Sequence, residues 1–261
     1  MSGANPNTVL STAFADAGLD WIVPGWPAPS AVRAFVTTRM GGISTGPYAT
    51  MNLARNGDDS AAVAENRRRF ESFLPAPPIG LRQVHGTTVA LLERTSLPTT
   101  ADAAVTRERG VVCSILTADC LPVVFTDRAG TAVGVAHAGW RGLAAGVLEA
   151  TIAALNDLGA ASADIIAWLG PAIGPEAFEV GEDVVAAFCG RDTQAATCFA
   201  PHRPGKWRAD LYELARRQVA RSGVVQIHGG GWCTYSNAER FFSYRRERAS
   251  GRMATAVWLT A

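Results

Sequence analysis

The sequence contains very little lysine, carries almost no net charge and has no long apolar run. Of its 24 basic residues only Lys206 is a lysine, and the formal net charge is +1. A chain this close to neutrality has no electrostatic reason to bind nucleic acid or an anionic membrane steadily. No apolar run approaches the roughly 20 residues that span a bilayer, and the N-terminus lacks a basic start followed by an apolar core. We therefore expect a cytoplasmic protein with no nucleic-acid and no membrane partner.

Cysteine and histidine are also few, and their spacing excludes several kinds of site. The five cysteines include no CxxC pair, which argues against a secreted disulfide framework and for a reducing compartment. The four histidines include no His-x-His pair, so the imidazoles that a multicopper oxidase needs are not available. HExxH and HxE…PCxxC are absent, and so are Rossmann and P-loop fingerprints. We therefore expect no nucleotide cofactor.

The most informative stretch contains two apolar, β-branched runs joined by a short turn. Residues 121–126 and 131–136 flank 127–130, a loop that contains glycine, and this pattern predicts a β-hairpin. A hairpin returns its two outer ends to the same place. Cys120, just before the first strand, and His137, just after the second, should therefore lie side by side, although 17 positions separate them.

His85 supplies a third candidate metal ligand, in the turn Gln83-Val84-His85-Gly86. Two imidazoles and a thiolate are ligands that zinc prefers, and three protein ligands leave a fourth position open for water or substrate. The residues alone leave a second interpretation open. Cysteine is among the most buried residue types, and a histidine in a turn is often only a hydrogen-bonded polar group.

Length and patterning predict one compact domain of mixed secondary structure. With 261 residues, 48% of them hydrophobic, the chain can bury a substantial core. Hairpin signals outnumber regular βαβ alternation, so we expect the α+β class: a single mixed α/β domain with largely antiparallel central strands and outer helices. Residues 21–261 should form this domain, and residues 1–20 a loosely ordered N-terminal tail.

Two further local predictions bear on the site and on the C-terminal region. A helix should begin directly after Gly142 and close at Gly159, with the positive end of its dipole and its free N–H groups near the metal ligands. Apolar runs at 229–235 and 241–244 predict strands.

A glycine-rich loop over residues 38–48 places Arg39 beside flexible backbone. Backbone N–H groups and a guanidinium could together hold an anion there. A wide turn without a ligand is the alternative interpretation.

Several longer strings resemble one known family in their order along the chain, from about Thr37 to Arg252. They are TTRMGGISTGPYATMNL, QVHGTTV, TADCLPVVF, HAGWRGLAAGVLEATI, GPAIGPEAFEVGEDV, DLYELARRQV and FFSYRRERASGR. The family is the one historically called laccase-domain or polyphenol oxidase proteins, whose members are now described as zinc-dependent purine nucleoside phosphorylases and in some cases as peptidoglycan editing factors. HAGWRG together with ADC is the most specific part of this resemblance.

The resemblance implies that His85, Cys120 and His137 are ligands of Zn²⁺. It also implies that phosphate cleaves adenosine, inosine and 5′-methylthioadenosine to the free base and a ribose 1-phosphate, with adenosine deamination as a side activity. A purine nucleoside and phosphate are thus the expected partners, and we expect a monomer or a weak homo-oligomer. A His₂Cys set could also accept a single copper ion, so metal availability would decide which metal is bound, and a copper-loaded polyphenol oxidase is an alternative function.

The residues around this site have candidate roles. Arg141, with the helix N-terminus, and Arg39 are candidates for phosphate binding, and Arg141 also for stabilising negative charge in the reaction. Asp119 is the candidate for proton transfer or for orienting a ligand histidine, with an Asx-type turn cap as the alternative. Trp140, Phe178 and Tyr48 are candidates for stacking on the base, or else belong to the core.

Two other classes of function stay open. Cys120 and His137 could act as nucleophile and base of a metal-independent cysteine hydrolase, such as an amidase that edits a peptidoglycan precursor. Zinc could instead be purely structural, although structural zinc normally has four protein ligands.

Overall fold

The computed structural model of the protein describes residues 6–260. Its helices are α1 (Pro6–Asp16), α2 (Ser60–Glu71), α3 (Trp140–Ala145), α4 (Val147–Asp157), α5 (Glu182–Cys189), α6 (Leu211–Arg221) and α7 (Tyr244–Glu247). Its strands are β1 (Val32–Val36), β2 (Val89–Leu91), β3 (Ala103–Thr106), β4 (Val112–Thr117), β5 (Leu121–Asp127), β6 (Val133–Ala138), β7 (Ile165–Leu169), β8 (Glu179–Val180), β9 (Phe199–Arg203), β10 (Lys206–Ala209), β11 (Gln226–Gly229) and β12 (Met253–Leu259). None of the described helices has both the length and the apolar character needed to cross a membrane.

Within the described part of the chain the strands form three sheets. The largest has six strands in the order β11-β7-β5-β6-β3-β2. Its neighbours are antiparallel except at the two edges, where β11 runs parallel to β7 and β2 parallel to β3. The sheets β1-β12-β4 and β8-β10-β9 are antiparallel throughout. The predicted mixed α/β domain with largely antiparallel central strands and outer helices is thus confirmed.

Apolar side chains on both faces of the central strands hold the sheets in layers. Along β5, Val123 and Phe125 pack toward α4 and α6, whereas Val124 packs toward the β1-β12-β4 sheet. Along β12, Val257 faces the six-stranded sheet and Trp258 faces the layer that contains α1 and α2. A strand between two apolar layers loses the alternation of polar and apolar residues, which is why all seven residues of β5 are buried.

The helix predicted between Gly142 and Gly159 is two helices, so that prediction is wrong in its detail. α3 already starts at Trp140 and ends where Gly146 adopts a φ of 106°, a left-handed conformation that favours glycine. A Cβ at position 146 would also lie only 3.0 Å from the guanidinium of Arg191. The helix N-terminus that follows His137 therefore belongs to the short α3 and not to α4.

The two strands predicted at 229–235 and 241–244 are also wrong. β11 ends at Gly229, and Gly229, Gly230 and Gly231 have φ values of 75°, 84° and 87°, a conformation that extended strands do not adopt. Phe241 and Phe242 are fully buried, but they lie in a loop that leads into the single turn of α7. Their apolar character therefore reflects packing and not strand pairing.

The N-terminal region is more ordered than the expected loose tail over residues 1–20. Residues 1–5 lie outside the described part of the chain, but Pro6–Asp16 forms α1. Phe14 on this helix is only 1% exposed, and its ring centroid lies 5.3 Å from that of Trp21 and 5.1 Å from that of Phe35. The helix therefore covers one face of the β1-β12-β4 sheet.

Replacing Phe14 with alanine should lower the free energy of unfolding by about 3–5 kcal/mol, because the change opens a cavity among aromatic side chains. Val9 on the same helix is 56% exposed, and Val9→Ala should change stability by less than about 0.5 kcal/mol. Urea unfolding of both variants measures this difference. Equal and small effects would mean that α1 is dispensable for the fold.

Candidate metal centre

The β5–β6 hairpin brings Cys120 and His137 together as predicted. In the antiparallel register Leu121 pairs with Ala138 and Pro122 with His137. Cys120 directly precedes the first strand, and the His137 side chain lies at the end of the second with the residue 3% exposed. The hairpin prediction is confirmed, including its consequence that residues distant in sequence meet at one end of the sheet.

His85 completes a group of three side chains that could hold a metal ion. The candidate ligand atoms of His85, Cys120 and His137 all lie within 4.8 Å of one another. The Sγ of Cys120 is 3.8 Å from Nε2 of His85, and the two imidazole centroids are 4.7 Å apart. His137 is buried, Cys120 half-buried and His85 exposed, so the group opens to solvent on one side. This donor set fits zinc with one coordination position left for a small molecule.

Asp102 holds two of the three candidate ligands in place, and sequence reasoning missed it. Its carboxylate is fully buried and lies 2.8 Å from Nδ1 of His137. It also accepts hydrogen bonds from the backbone N–H groups of Val84, His85 and Gly86, at distances from 2.7 to 3.2 Å. These bonds orient the His137 ring and leave its Nε2 as the metal-binding atom. They also fix the turn in which His85 has a φ of 61°.

The same hydrogen bonds shift the pKa values of three groups in the metal-free site. Burial alone would raise the pKa of Asp102, but hydrogen bonds from His137 and from the three backbone N–H groups lower it to about 2. Burial would lower the pKa of His137, but Asp102 and Cys120 raise it to about 9. Burial would likewise raise the pKa of Cys120, but hydrogen bonds with His137 and His85 lower it to about 6. Metal binding would thus find a thiolate in place and would displace a proton from His137.

Two glycines in HAGWRG allow the start of α3 to press against the ligands. A Cβ at Gly139 would lie 2.6 Å from Cδ2 of His85 and 3.0 Å from Sγ of Cys120. A Cβ at Gly142 would lie 2.8 Å from the carbonyl oxygen of Gly86. Since real Cβ atoms do not approach other atoms so closely, the motif reflects steric contact with the ligand-bearing turn as well as chemistry.

Arg141 lies in the first turn of α3 and is exposed. Its Cζ is 4.4 Å from the centroid of the Trp140 ring, a cation–π contact. Arg141 therefore places an exposed positive charge two residues after Gly139, which packs against His85 and Cys120.

The guanidinium of Arg39, unlike that of Arg141, is bonded to a carboxylate and to backbone carbonyls of the protein. Its Nη1 lies 3.0 Å from Oε1 of Glu247 and donates to the carbonyl of Ala238, and its Nε donates to the carbonyl of Ala49. These contacts tie the glycine-rich loop to the C-terminal region. Phosphate binding by Arg39 stays a prediction.

The Asp119 carboxylate is hydrogen-bonded to groups other than the candidate ligand histidines. Oδ1 accepts from Oγ1 of Thr234, and Oδ2 accepts from Oγ of Ser243 and from the backbone N–H of Arg245. Orientation of a histidine is thus carried out by Asp102, and proton transfer by Asp119 stays a prediction.

Of the aromatic candidates, Phe178 is buried, while Tyr48 and Trp140 are half-buried.

Replacing Asp102 with asparagine should weaken zinc binding by about 10- to 100-fold, because an amide cannot accept from His137 and three N–H groups with both of its polar atoms. Competition with a chromophoric chelator measures the affinity. Asp127→Asn is the matched control. The Asp127 carboxylate also accepts three hydrogen bonds, from Thr131 and Ala132, but at the opposite end of β5. Unchanged affinity in Asp102→Asn would show that the ligands need no such support.

Removing the metal should make Cys120 reactive. In chelator-treated protein, iodoacetamide should alkylate Cys120 at a rate that rises as the pH increases through about 6, since the thiolate is the reacting form. Added zinc should suppress this reaction. Cys113 is an internal control because burial raises its pKa and the residue is 0% exposed. Peptide mapping by mass spectrometry reads out both sites, and equal rates with and without zinc would show that Cys120 is not a ligand.

Known proteins are similar to this chain over most of its length. A family model described as multi-copper polyphenol oxidoreductase laccase matches residues 33–260. A protein of Pseudomonas aeruginosa named purine nucleoside phosphorylase is 51% identical over 241 residues, which cover 92% of this chain and 98% of that protein. The Escherichia coli protein named purine nucleoside phosphorylase YfiH is 50% identical over 244 residues, which cover 91% of this chain and 98% of that protein.

Solved structures agree over the same length. The Neisseria meningitidis protein NMB0706 superposes with a TM-score of 0.86 at 46% identity, covering 93% of this chain and all of the other. YlmD from Geobacillus stearothermophilus superposes with a TM-score of 0.84 at 31% identity, covering 92% of this chain and 96% of the other. The chain is thus similar over about nine tenths of its length to proteins named purine nucleoside phosphorylase, and it belongs to the family described as multi-copper polyphenol oxidoreductase laccase.

Proposed function

We propose that the protein is a zinc-dependent purine nucleoside phosphorylase. Its reaction would cleave adenosine, inosine and 5′-methylthioadenosine with phosphate to the free base and a ribose 1-phosphate. The observation that carries this proposal is the His85–Cys120–His137 group, open on the His85 side and supported by Asp102, in a chain about half identical to relatives of that name.

Three side-chain atoms would hold the metal: Nε2 of His137, since Nδ1 is engaged by Asp102, Sγ of Cys120, and a ring nitrogen of His85. When bound, zinc supplies a Lewis acid that can polarise a phosphate or water oxygen in its open position. A single copper ion could occupy the same set. The multicopper chemistry in the family description does not extend to this chain, which has four histidines in all.

Arg141 would bind the attacking phosphate. Arg141 is exposed in the first turn of α3, two residues after the glycine that packs against His85 and Cys120, so its guanidinium would neutralise an anion at the open side of the site. A phosphate oxygen forms a bond to the anomeric carbon of the ribose as the bond from that carbon to the purine nitrogen breaks. The electron pair leaves with the base, which takes up a proton.

A second activity has its own supporting observation. Asp102, His137 and Cys120 stand in the order of carboxylate, imidazole and thiol that cysteine hydrolases use, with the Cys120 pKa lowered to about 6 by hydrogen bonds from the two histidines despite burial. A metal-free hydrolase acting on a peptidoglycan precursor is thus the second candidate.

Adenosine deamination is the expected side activity of the zinc form.

Product analysis of the zinc-loaded protein with adenosine, in the presence and absence of phosphate, tests the proposal. We expect adenine and ribose 1-phosphate only when phosphate is present, and a loss of at least about 100-fold in His137→Ala, because that change removes a metal ligand. His202→Ala is the control, since His202 is a surface residue near Glu179.

The alternative outcomes separate the remaining candidates. Inosine formed without a phosphate requirement would make deamination the main reaction. Absence of nucleoside turnover, combined with hydrolysis of a peptidoglycan precursor that survives chelation, would replace the proposal with the cysteine hydrolase. Metal analysis of the same samples shows whether zinc accompanies activity.

A further inference from the structure

The segment from Trp232 to Arg248 contacts Asp119 in the turn that carries Cys120 and has little regular structure of its own. Its only helical part is α7. Arg246 links the two parts of the segment, because its guanidinium donates to the carbonyls of Thr234, Tyr235 and Phe241. These hydrogen bonds hold the two parts of the segment together. Contacts with other parts of the chain then set where the segment lies relative to the candidate metal site.

Asp119, which directly precedes the ligand Cys120, provides such a contact. Its carboxylate accepts hydrogen bonds from Thr234 at 2.6 Å, from Ser243 at 3.1 Å and from the Arg245 backbone at 2.7 Å. Thr234 and Ser243 are both fully buried, so these bonds are shielded from competing water. Both ends of the segment are thereby tied to one carboxylate.

The backbone of Asp119 explains how a residue beside a metal ligand can face away from the metal. It has a φ of 81°, in the left-handed region that aspartate tolerates better than most residues. Its carbonyl accepts a hydrogen bond from the N–H of Ile173. A carboxylate has about four acceptor positions, and three are occupied here by donors of one segment. This arrangement suits an anchor better than a group that must exchange protons.

The anchored backbone carries an exposed cation, Arg245. Its Cζ lies 5.5 Å from the centroid of the Phe178 ring, and its Nη1 donates to the carbonyl of Glu179. A guanidinium has five N–H donors, so most of them remain free to bind an anion. The backbone N–H of Arg245 donates a hydrogen bond to Asp119, the residue directly before Cys120.

We propose that Asp119 is a positioning residue, which fixes the backbone of Arg245 against the metal-ligating turn so that the Arg245 guanidinium contacts the substrate phosphate. This inference rests on the proposed phosphorylase function. It assigns Arg245, together with Arg141, to phosphate binding and removes Asp119 from proton transfer.

Steady-state kinetics of zinc-loaded Asp119→Gly test the proposal. Glycine keeps the left-handed backbone and removes all three acceptor contacts, whereas the hydroxyls of Thr234 and Ser243 could accept from an asparagine amide as well as donate to it. The KM for phosphate should rise by about 10- to 100-fold, with bound zinc and both limbs of the pH–rate profile unchanged. Arg245→Gln should give the same rise, and the double variant should lose little more than either single variant, because the two residues act as a unit.

Hydrogen exchange provides a readout that needs no turnover. The backbone amide of residue 245 should exchange at least about tenfold faster in Asp119→Gly, and at the wild-type rate in Arg245→Gln, since only the first variant removes its acceptor. Asp127→Gly, the same change in a carboxylate with three hydrogen bonds at the other end of β5, should alter neither exchange nor the KM for phosphate.

Three results would overturn the proposal. A fall in kcat with loss of one limb of the pH profile and no change in KM would make Asp119 a proton donor. Loss of zinc would make it a support for the ligands, and unchanged exchange at Arg245 would show that it anchors nothing. If the wild-type protein does not turn over nucleosides, the proposed function fails, while the exchange result still decides whether Asp119 fixes the segment.

Discussion

The buried carboxylate of Asp102 is the interaction on which the metal centre depends. It receives the imidazole N–H of His137 and the backbone N–H groups of residues 84–86, and the backbone carbonyl of the same residue accepts from the N–H of His137. A buried charge is tolerated only when it is fully hydrogen-bonded. Here the compensation for burying Asp102 also sets the direction of one ligand and the turn that carries another.

A second carboxylate, that of Asp119, directly precedes Cys120 and also accepts several hydrogen bonds. The Asp102 carboxylate bonds to His137 and to the turn that carries His85, whereas that of Asp119 bonds to the segment from Trp232 to Arg248. The two acids lie in turns that precede β3 and β5, and these strands both flank β6. The candidate metal ligands thus adjoin two turns that are held by aspartate hydrogen bonds, one belonging to the sheet and one shared with the C-terminal region, while the His85 side is open to solvent.

Parts of the molecule with a local cause were predictable from the sequence. The β5–β6 hairpin follows from two apolar runs and one glycine-containing turn, and it was enough to bring Cys120 and His137 together. Asp102 was missed because an aspartate before a short apolar strand carries no local signal, and its partners lie 16 to 35 positions away. The break at Gly146 and the buried loop at Phe241 and Phe242 were missed for a related reason, since packing overrides helical or strand periodicity there.

Two of the candidate ligands, His85 and Cys120, lie in turns and the third, His137, lies at the end of β6, and this has a consequence for how the site is assembled. Cys120 and His137 meet only after β5 and β6 have paired, and Asp102 reaches His137 only after β3 has paired with β6. A metal ion therefore cannot nucleate this fold as it does in small zinc domains, where binding and folding are one event. An ion bound as proposed would enter a finished protein, whose stability comes from its hydrophobic core. Gain and loss of that ion would then change the site without unfolding the chain.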